Sequence, residues 1–290
     1  MDPLGLKIIL VTCLVFVPLE RLFALNGEQK IFRPGWANDV IFLLLNGLVI
    51  KLGMLAVIVA SLFVAARIVP ASVQDSVGGL PFWIQIPLIV LLSDLGVYWI
   101  HRMFHAVPWL WRFHEIHHSS EELDWLVTAR VHPVDQILTR GAPLSVVIAL
   151  GFSAWSITVC ALLFHWQAFL VHSNVRIGFG PLRLLLVSPA FHHWHHSRDR
   201  EARDKNFAGQ LSFLDALFGT LHMPQGRMPT AYGLDQPMRQ RYAFQMLYPF
   251  VGDRARQYLH LPAETEPHPA NLSIERAGAT HPPAAKLTSR

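Results

Sequence analysis

The sequence predicts an all-α integral membrane helical bundle, capped on its cytoplasmic side by a histidine-rich site for two metals. Three observations carry that expectation. The 290-residue chain is 52% hydrophobic and only 15% charged, with a mean hydropathy of +0.33, whereas soluble domains carry about 25% charged residues. Its apolar residues are gathered into runs, notably 40–66 and 143–171, of a length that suits a bilayer. Finally, eight histidines fall into three tight clusters between residues 101 and 196: His101 with His105, His114 with His117 and His118, and His192 with His195 and His196.

Taken in order, residues 4–19 form a short apolar segment closing at Pro18 and Glu20, read as an uncleaved anchor. It falls below the roughly 20 residues that span comfortably, so it crosses with strain or lies at the interface. A polar stretch with Arg21, Lys30 and Arg33 follows. Residues 40–66 are long enough to span with tilt, and Asn46 and Lys51 within them need a partner or an interfacial position. Pro70, Gly78, Gly79 and Pro81 mark 67–81 as a turn. Residues 82–100 make a third span that delivers His101 at its end.

The apolar run 143–171 then poses a problem of parity, because a single crossing would separate the first two histidine clusters from the third. Two half-helices bent near 151–153, each roughly 20 Å long at 1.5 Å per residue, would dip in and return. Charge sets the orientation. The 20–38 loop and the histidine region, with Arg102, Arg112, Arg130 and Arg140, are basic, and the 67–81 loop offers only Arg67. The positive-inside rule therefore places the histidines in the cytoplasm. Residues 206–220 read as a helix approaching the membrane surface, and the Pro-, Ala-, Glu- and Thr-rich stretch from about 254 reads as a disordered tail. The resulting division is an anchor region (1–81), a catalytic region (82–222) and an extension (223–290).

Histidines three and four apart share a helix face, so each cluster can aim two or three imidazoles at one point. Neutral imidazole is the commonest ligand for zinc, copper and iron. Eight are too many for one tetrahedral zinc, which takes three or four protein ligands, but suit two metals with a position left open for dioxygen on a redox metal. His172 stands as a ninth candidate, and His132 as a ligand or a turn-stabilising donor. Asp94, inside a span, forms an i, i+4, i+7 stripe with Tyr98 and His101, the position for a carboxylate that fixes the imidazole tautomer. His165 reads as a packing residue, and His193 is out of phase with its cluster.

His101 and His105, Trp111-Arg112-Phe113-His114 with His117-His118-Ser119, His132-Pro133, His172-Ser173-Asn174, His192 to His196, Asn206 and Asp215-x-x-Phe218-Gly219-Thr220 together resemble the fatty acid hydroxylase/sterol desaturase superfamily. The resemblance covers roughly residues 85–222. It implies a membrane oxygenase with a histidine-ligated centre of two iron ions, using O2 on sterols, fatty acyl chains or related lipids. It also implies an external electron donor, such as a cytochrome or a ferredoxin with its reductase. Asn174 and Asn206 enter as supporting polar residues, although Ala208 stands where the family more often has tyrosine.

Two other classes compete. His114-Glu115-Ile116-His117-His118 also spells H-E-x-x-H, the signature of a zinc metalloprotease with Glu115 as base. That reading leaves six clustered histidines unused. A haem-binding electron carrier wastes the clustering too. The net charge of +4 comes from residues flanking apolar spans, which argues against a nucleic-acid partner. Cys13 and Cys160 are isolated, and no G-x-G-x-x-G loop or cysteine-rich iron–sulfur pattern occurs, so electrons must arrive from another protein.

Overall fold

The structure, a computed structural model, describes residues 6–252, 254 and 256. The expected disordered tail falls almost wholly outside the described residues. Among the described residues there is no β-strand, only isolated bridges pairing Ala24 with Val175 and Ser197 with Tyr232. The elements described are the α-helices α1 (Leu6–Leu22), α2 (Trp36–Ile68), α3 (Ala71–Gly78), α4 (Phe82–Ala106), α5 (Pro108–His114), α6 (Pro133–Ala149), α7 (Ala154–His172), α8 (Pro189–His195), α9 (Phe213–Leu217) and α10 (Tyr242–Leu247).

Helices α2, α4 and α7 are each long and apolar enough to cross a membrane. Helices α2 and α4 pack against α6 and α7 packs against α4, and small residues set the spacing. A Cβ on Gly96 would meet the Pro143 ring at 2.8 Å, and one on Gly53 would collide with the Ile137 side chain. Such close backbone approach is how helices associate where lipid supplies no hydrophobic drive. Asn46, the expected misfit of α2, donates from Nδ2 to the Val131 carbonyl and accepts from the Tyr242 hydroxyl. Lys51 is exposed.

Several local expectations need correction. Helix α1 runs through Pro18 to Leu22 instead of closing there. An internal proline costs about 3 kcal/mol, and buried Glu20 offsets it by accepting the N–H groups of Trp125 and Asn174. The 67–81 turn contains a helix, α3, entered directly after Pro70. The 143–171 run does break where expected, between Ala149 and Ala154. Gly151 turns the chain at φ +86°, and a side chain there would strike the Gln74 backbone at 2.6 Å. Ser153 then caps α7 by accepting the Ser156 N–H. The halves are not short, however. Helix α6 starts back at Pro133, and α7 has 19 residues, roughly 28 Å of helix. The pair is a hairpin of two long helices. The expected 206–220 helix reduces to α9, because the N–H groups of 207–211 go to buried carboxylates and not to a helical ladder.

The hairpin resolves the parity problem and gives the bundle two distinct ends. At one, Gln74 donates to the Ala149 carbonyl and Gln85 accepts from Ser153 N–H, so the 67–81 segment sits beside the 149–153 turn. At the other, the chain after α1 is tied to the histidine region. Arg33 bonds Asp124 and Asp39, Arg130 bonds Asp39 and Gln240, and all four charged groups are buried. Removing one member of such a network strands a buried charge, so the four groups behave as one clamp. Residues 238–250 close over the same end, with Gln245 bonding Asn38 and Ser119.

Candidate metal centre

The eight clustered histidines and His172 converge at this end, in two groups. His101, His105, His114, His118 and His195 form one, and His117, His172, His192 and His196 the other; within each, the ring nitrogens lie within 4.8 Å of one another. The groups adjoin, with the His118 and His196 rings stacked at 4.4 Å. The clusters do not map one-to-one onto the groups. Helix α5 ends at His114, and His117 and His118 follow in a 3₁₀ turn, His117–Ser119. Successive residues of such a turn point about 100° apart, so His118 joins His114, four residues before it, while His117 turns to the other group. Helix α8, started by Ser188 and Pro189, likewise gives His195 to the first and His192 to the second.

What fixes each ring shows how the site is prepared. The Nδ1–H groups of His101, His195, His117 and His172 donate to the carbonyls of Phe207, Lys205, Arg130 and Ala168 at 2.7–3.0 Å. His114 Nδ1 donates to Asp135 at 2.7 Å, and His105 Nδ1 faces Asp204 at 3.3 Å. A carbonyl only accepts, so the single proton of a neutral ring is committed to Nδ1 and Nε2 keeps a bare lone pair. Burial, then repulsion among neighbouring imidazoles, holds His114, His118, His192, His195 and His196 well below the usual histidine range, and burial pushes His117 down to about 4.

These rings are therefore neutral near pH 7, and their Nε2 atoms face one another. His117 and His172 do so at 3.0 Å and His101 and His114 at 2.9 Å. With no proton between them such pairs repel, and a cation between lone pairs removes the repulsion. The Nε2 atoms of His105 and His195 are also buried without any partner. The donor set fits metal ions on that physical ground.

The segment after α8 is the part that sequence reasoning missed. Residues 204–207 supply the acceptors for three rings of the larger group: Asp204 for His105, the Lys205 carbonyl for His195 and the Phe207 carbonyl for His101. Asp204 and Asn206 adopt left-handed backbone, φ 52° and 61°, which Asp and Asn tolerate better than most residues. Asp135 was also overlooked, although a carboxylate in an apolar helix is the same signal that drew attention to Asp94.

The supporting residues act differently from expectation. Asp94 does not touch His101. Its carboxylate accepts the N–H groups of Gly209, Gln210 and Leu211, and so pins the loop that carries the Phe207 carbonyl. Asp215 pins the same loop from the other side through Phe207 and Ala208 N–H. Because Ala208 contributes through its backbone, the missing tyrosine costs this contact nothing. Tyr98 bonds Thr220, and Asn206 ties the Phe191 carbonyl to the His222 backbone. Asn174 bonds Asn26, near the end of α1. His132 belongs to neither group; its Nδ1 caps α6 by accepting the Val134 N–H. His193 faces away, bonding Tyr232 and the Ser173 carbonyl.

Residues 86–220 match the fatty acid hydroxylase family. The chain is 31% identical over 180 residues to an ornithine lipid hydroxylase of Rhizobium tropici, covering 59% of this chain and 51% of that protein. It is 38% identical over 148 residues to the alkylglycerol monooxygenase of Homo sapiens, covering 50% of this chain and 32% of that one. The alkylglycerol monooxygenase of Danio rerio is 35% identical over 52% of the chain and 33% of its own length. The chain thus spans about half the length of the first relative and a third of the others. No solved structure matches it.

Two cavities flank the histidines. An apolar one of about 410 Å³ lies between α2, α4, α6 and α7. Its roof is made of residues adjoining those that hold the rings: Val131 follows Arg130, Gln136 follows Asp135, and Ala168 itself accepts from His172. On the far side a polar opening of about 520 Å³ is bordered by His105, His118 and His195 with Arg198 and Arg203. Glu115 also borders it, with its carboxylate bonded by the Tyr248 hydroxyl.

Proposed function

We propose that the chain is an O2-dependent membrane oxidoreductase that hydroxylates or desaturates a lipid, a sterol or fatty acyl chain, at a histidine-ligated centre of two irons. The observation that carries this reading is the division of nine buried imidazoles into groups of five and four, with Nδ1 committed elsewhere on six of them. His101, His105, His114, His118 and His195 would hold one ion, and His117, His172, His192 and His196 the other. In such a site iron supplies the redox chemistry for dioxygen-dependent oxidation of a C–H bond. For hydroxylation, one oxygen atom enters the substrate and the other leaves as water, consuming two electrons and two protons from outside the chain. An external carrier, a cytochrome or a ferredoxin with its reductase, would supply those electrons.

The protein's own contribution is orientation and exclusion of water. Asp135, Asp204 and the pinned carbonyls keep each Nε2 unprotonated and aimed inward. The apolar cavity offers the lipid chain a dry path to the underside of the centre. The catalytic region 82–222 would be completed by residues 238–250, which close over it. The basic residues of the 20–38 segment and the histidine end support a cytoplasmic location for the site.

The motif fits a protease poorly, since the Glu115 carboxylate is engaged by the Tyr248 hydroxyl and His114 and His118 converge with three further histidines. Two measurements test the proposal. Elemental analysis of protein never exposed to chelator should give two metal ions per chain; one or none overturns it, whereas zinc for iron reflects loading during expression. Lipid profiling of aerobic cells with and without the chain should show an oxidised lipid that appears only with it.

A further inference from the structure

The apolar cavity carries a feature that a site built only for hydrocarbon would lack. Among the polar groups that line it below the roof are Arg140 on α6, His165 on α7 and Gln210 in the pinned loop. Each is left without a hydrogen-bonding partner by the protein. His165 Nε2 and Gln210 Nε2 are buried with none. Arg140 enters no hydrogen bond or ion pair among the described residues, although Asp94 and Asp135 are near enough for their charges to be felt. Both carboxylates are already committed, Asp94 to three backbone N–H groups and Asp135 to His114 and Thr139. Leaving a guanidinium and two further polar groups unpaired in an apolar chamber is costly unless something arrives to pair them.

We infer that Arg140, Gln210 and His165 together bind an acceptor oxygen at the polar end of the lipid, with its hydrocarbon chain in the apolar depth towards Ile157 and Cys160. The inference rests on the lipid-oxidising function proposed above and narrows the substrate class. The collar is close to the histidines: Arg140 is five residues from Asp135, and His165 seven from His172 on the same helix, roughly 7–10 Å at 1.5 Å per residue. The end of the lipid nearest the metal centre is therefore its polar end, not its methyl terminus. Two of the three groups are obligate donors, and one is a permanent cation able to make paired hydrogen bonds. The matching chemistry is an oxygen acceptor, either an anionic carboxylate or phosphate or a neutral ether, ester or hydroxyl.

The test measures equilibrium binding to the purified full-length chain in neutral detergent, with metal content assayed in parallel. The probes are radiolabelled oleate, which is anionic, and radiolabelled 1-O-hexadecylglycerol, which is neutral. At least one should bind, and n-hexadecane should fail to displace it. Arg140→Met should weaken that binding about 10- to 100-fold, the loss expected for a charge-assisted hydrogen bond, at unchanged metal content. The probe weakened more identifies whether the oxygen is charged. If Arg140→Met does not fold, Gln210→Met keeps its backbone bond to Asp94 and should also weaken binding. Displacement by hexadecane as effective as by the polar-ended lipids, no binding of either probe, or full affinity in the folded variants overturns the inference. None of these readouts needs turnover. A chain that binds lipid in this pattern but yields no oxidised product refutes the oxygenase function alone.

Discussion

The most exposed link in the metal-centre argument is the bond between Asp135 and His114. Asp135 is buried, and both its oxygens are used: Oδ2 accepts His114 Nδ1–H at 2.7 Å and Oδ1 accepts the Thr139 hydroxyl at 2.9 Å. Asparagine at 135 can turn its one carbonyl towards His114 and donate its amide to Thr139, whose hydroxyl also accepts. The ring's tautomer survives, and what is lost is the charge that raises its basicity. Alanine removes both. Substituting the acceptor behind a ligating histidine typically costs 10- to 100-fold in metal affinity, about 1.4–2.7 kcal/mol. Asp135→Asn should therefore fall near the lower bound and Asp135→Ala near or beyond the upper, while Thr139→Val, which leaves His114 paired, should change affinity little. Competition against a graded chelator, read by elemental analysis and alongside circular dichroism, measures this. The loss should come first from the five-histidine group, taking the chain from two ions to one. Unchanged metal retention in folded Asp135→Ala would refute the claim that this contact prepares the ring.

Three other expectations follow from the same geometry. Glu115→Gln should keep both metals and substantial lipid oxidation, because the carboxylate is bonded to Tyr248; His195→Ala should lose metal and activity, and the opposite pair of results would restore the protease assignment. Asp94→Asn, which replaces an acceptor of three buried N–H groups, should destabilise the chain by about 2–4 kcal/mol, seen as a fall in Tm of roughly 5–15 °C in detergent; an unchanged Tm would mean that the loop is held elsewhere. In a background with Cys13 and Cys160 replaced, Ser76→Cys and Arg200→Cys should label from opposite sides of the membrane, with Arg200 on the cytoplasmic side; both positions are exposed, and labelling from one side contradicts the two-ended bundle.

The sequence alone determined the all-helical membrane character, the nine histidines and the break near Gly151. Each of these is a local property. Hydropathy is summed along the chain, histidine spacing is read in single helical turns, and a glycine at a tight turn leaves its mark where it stands. Which histidines share an ion was decided by tertiary structure. His117 and His118 are neighbours in sequence, yet one meets His172, His192 and His196 and the other meets His101, His105 and His195, because other helices bring those rings to each side. The roles of Asp94 and Asp135 were decided in the same way. Both are carboxylates in apolar helices, and spacing favoured Asp94 as the partner of a ligand because it lies seven residues before His101. Once the helices pack, Asp135 faces His114 from another helix, and Asp94 faces a loop more than a hundred residues away. A hydrogen bond depends on distance in space, and periodicity within one helix reports nothing of what packs against it. The carbonyls of Lys205 and Phe207 lay further still from view, since every residue has one and only the fold gives these two a ring to hold.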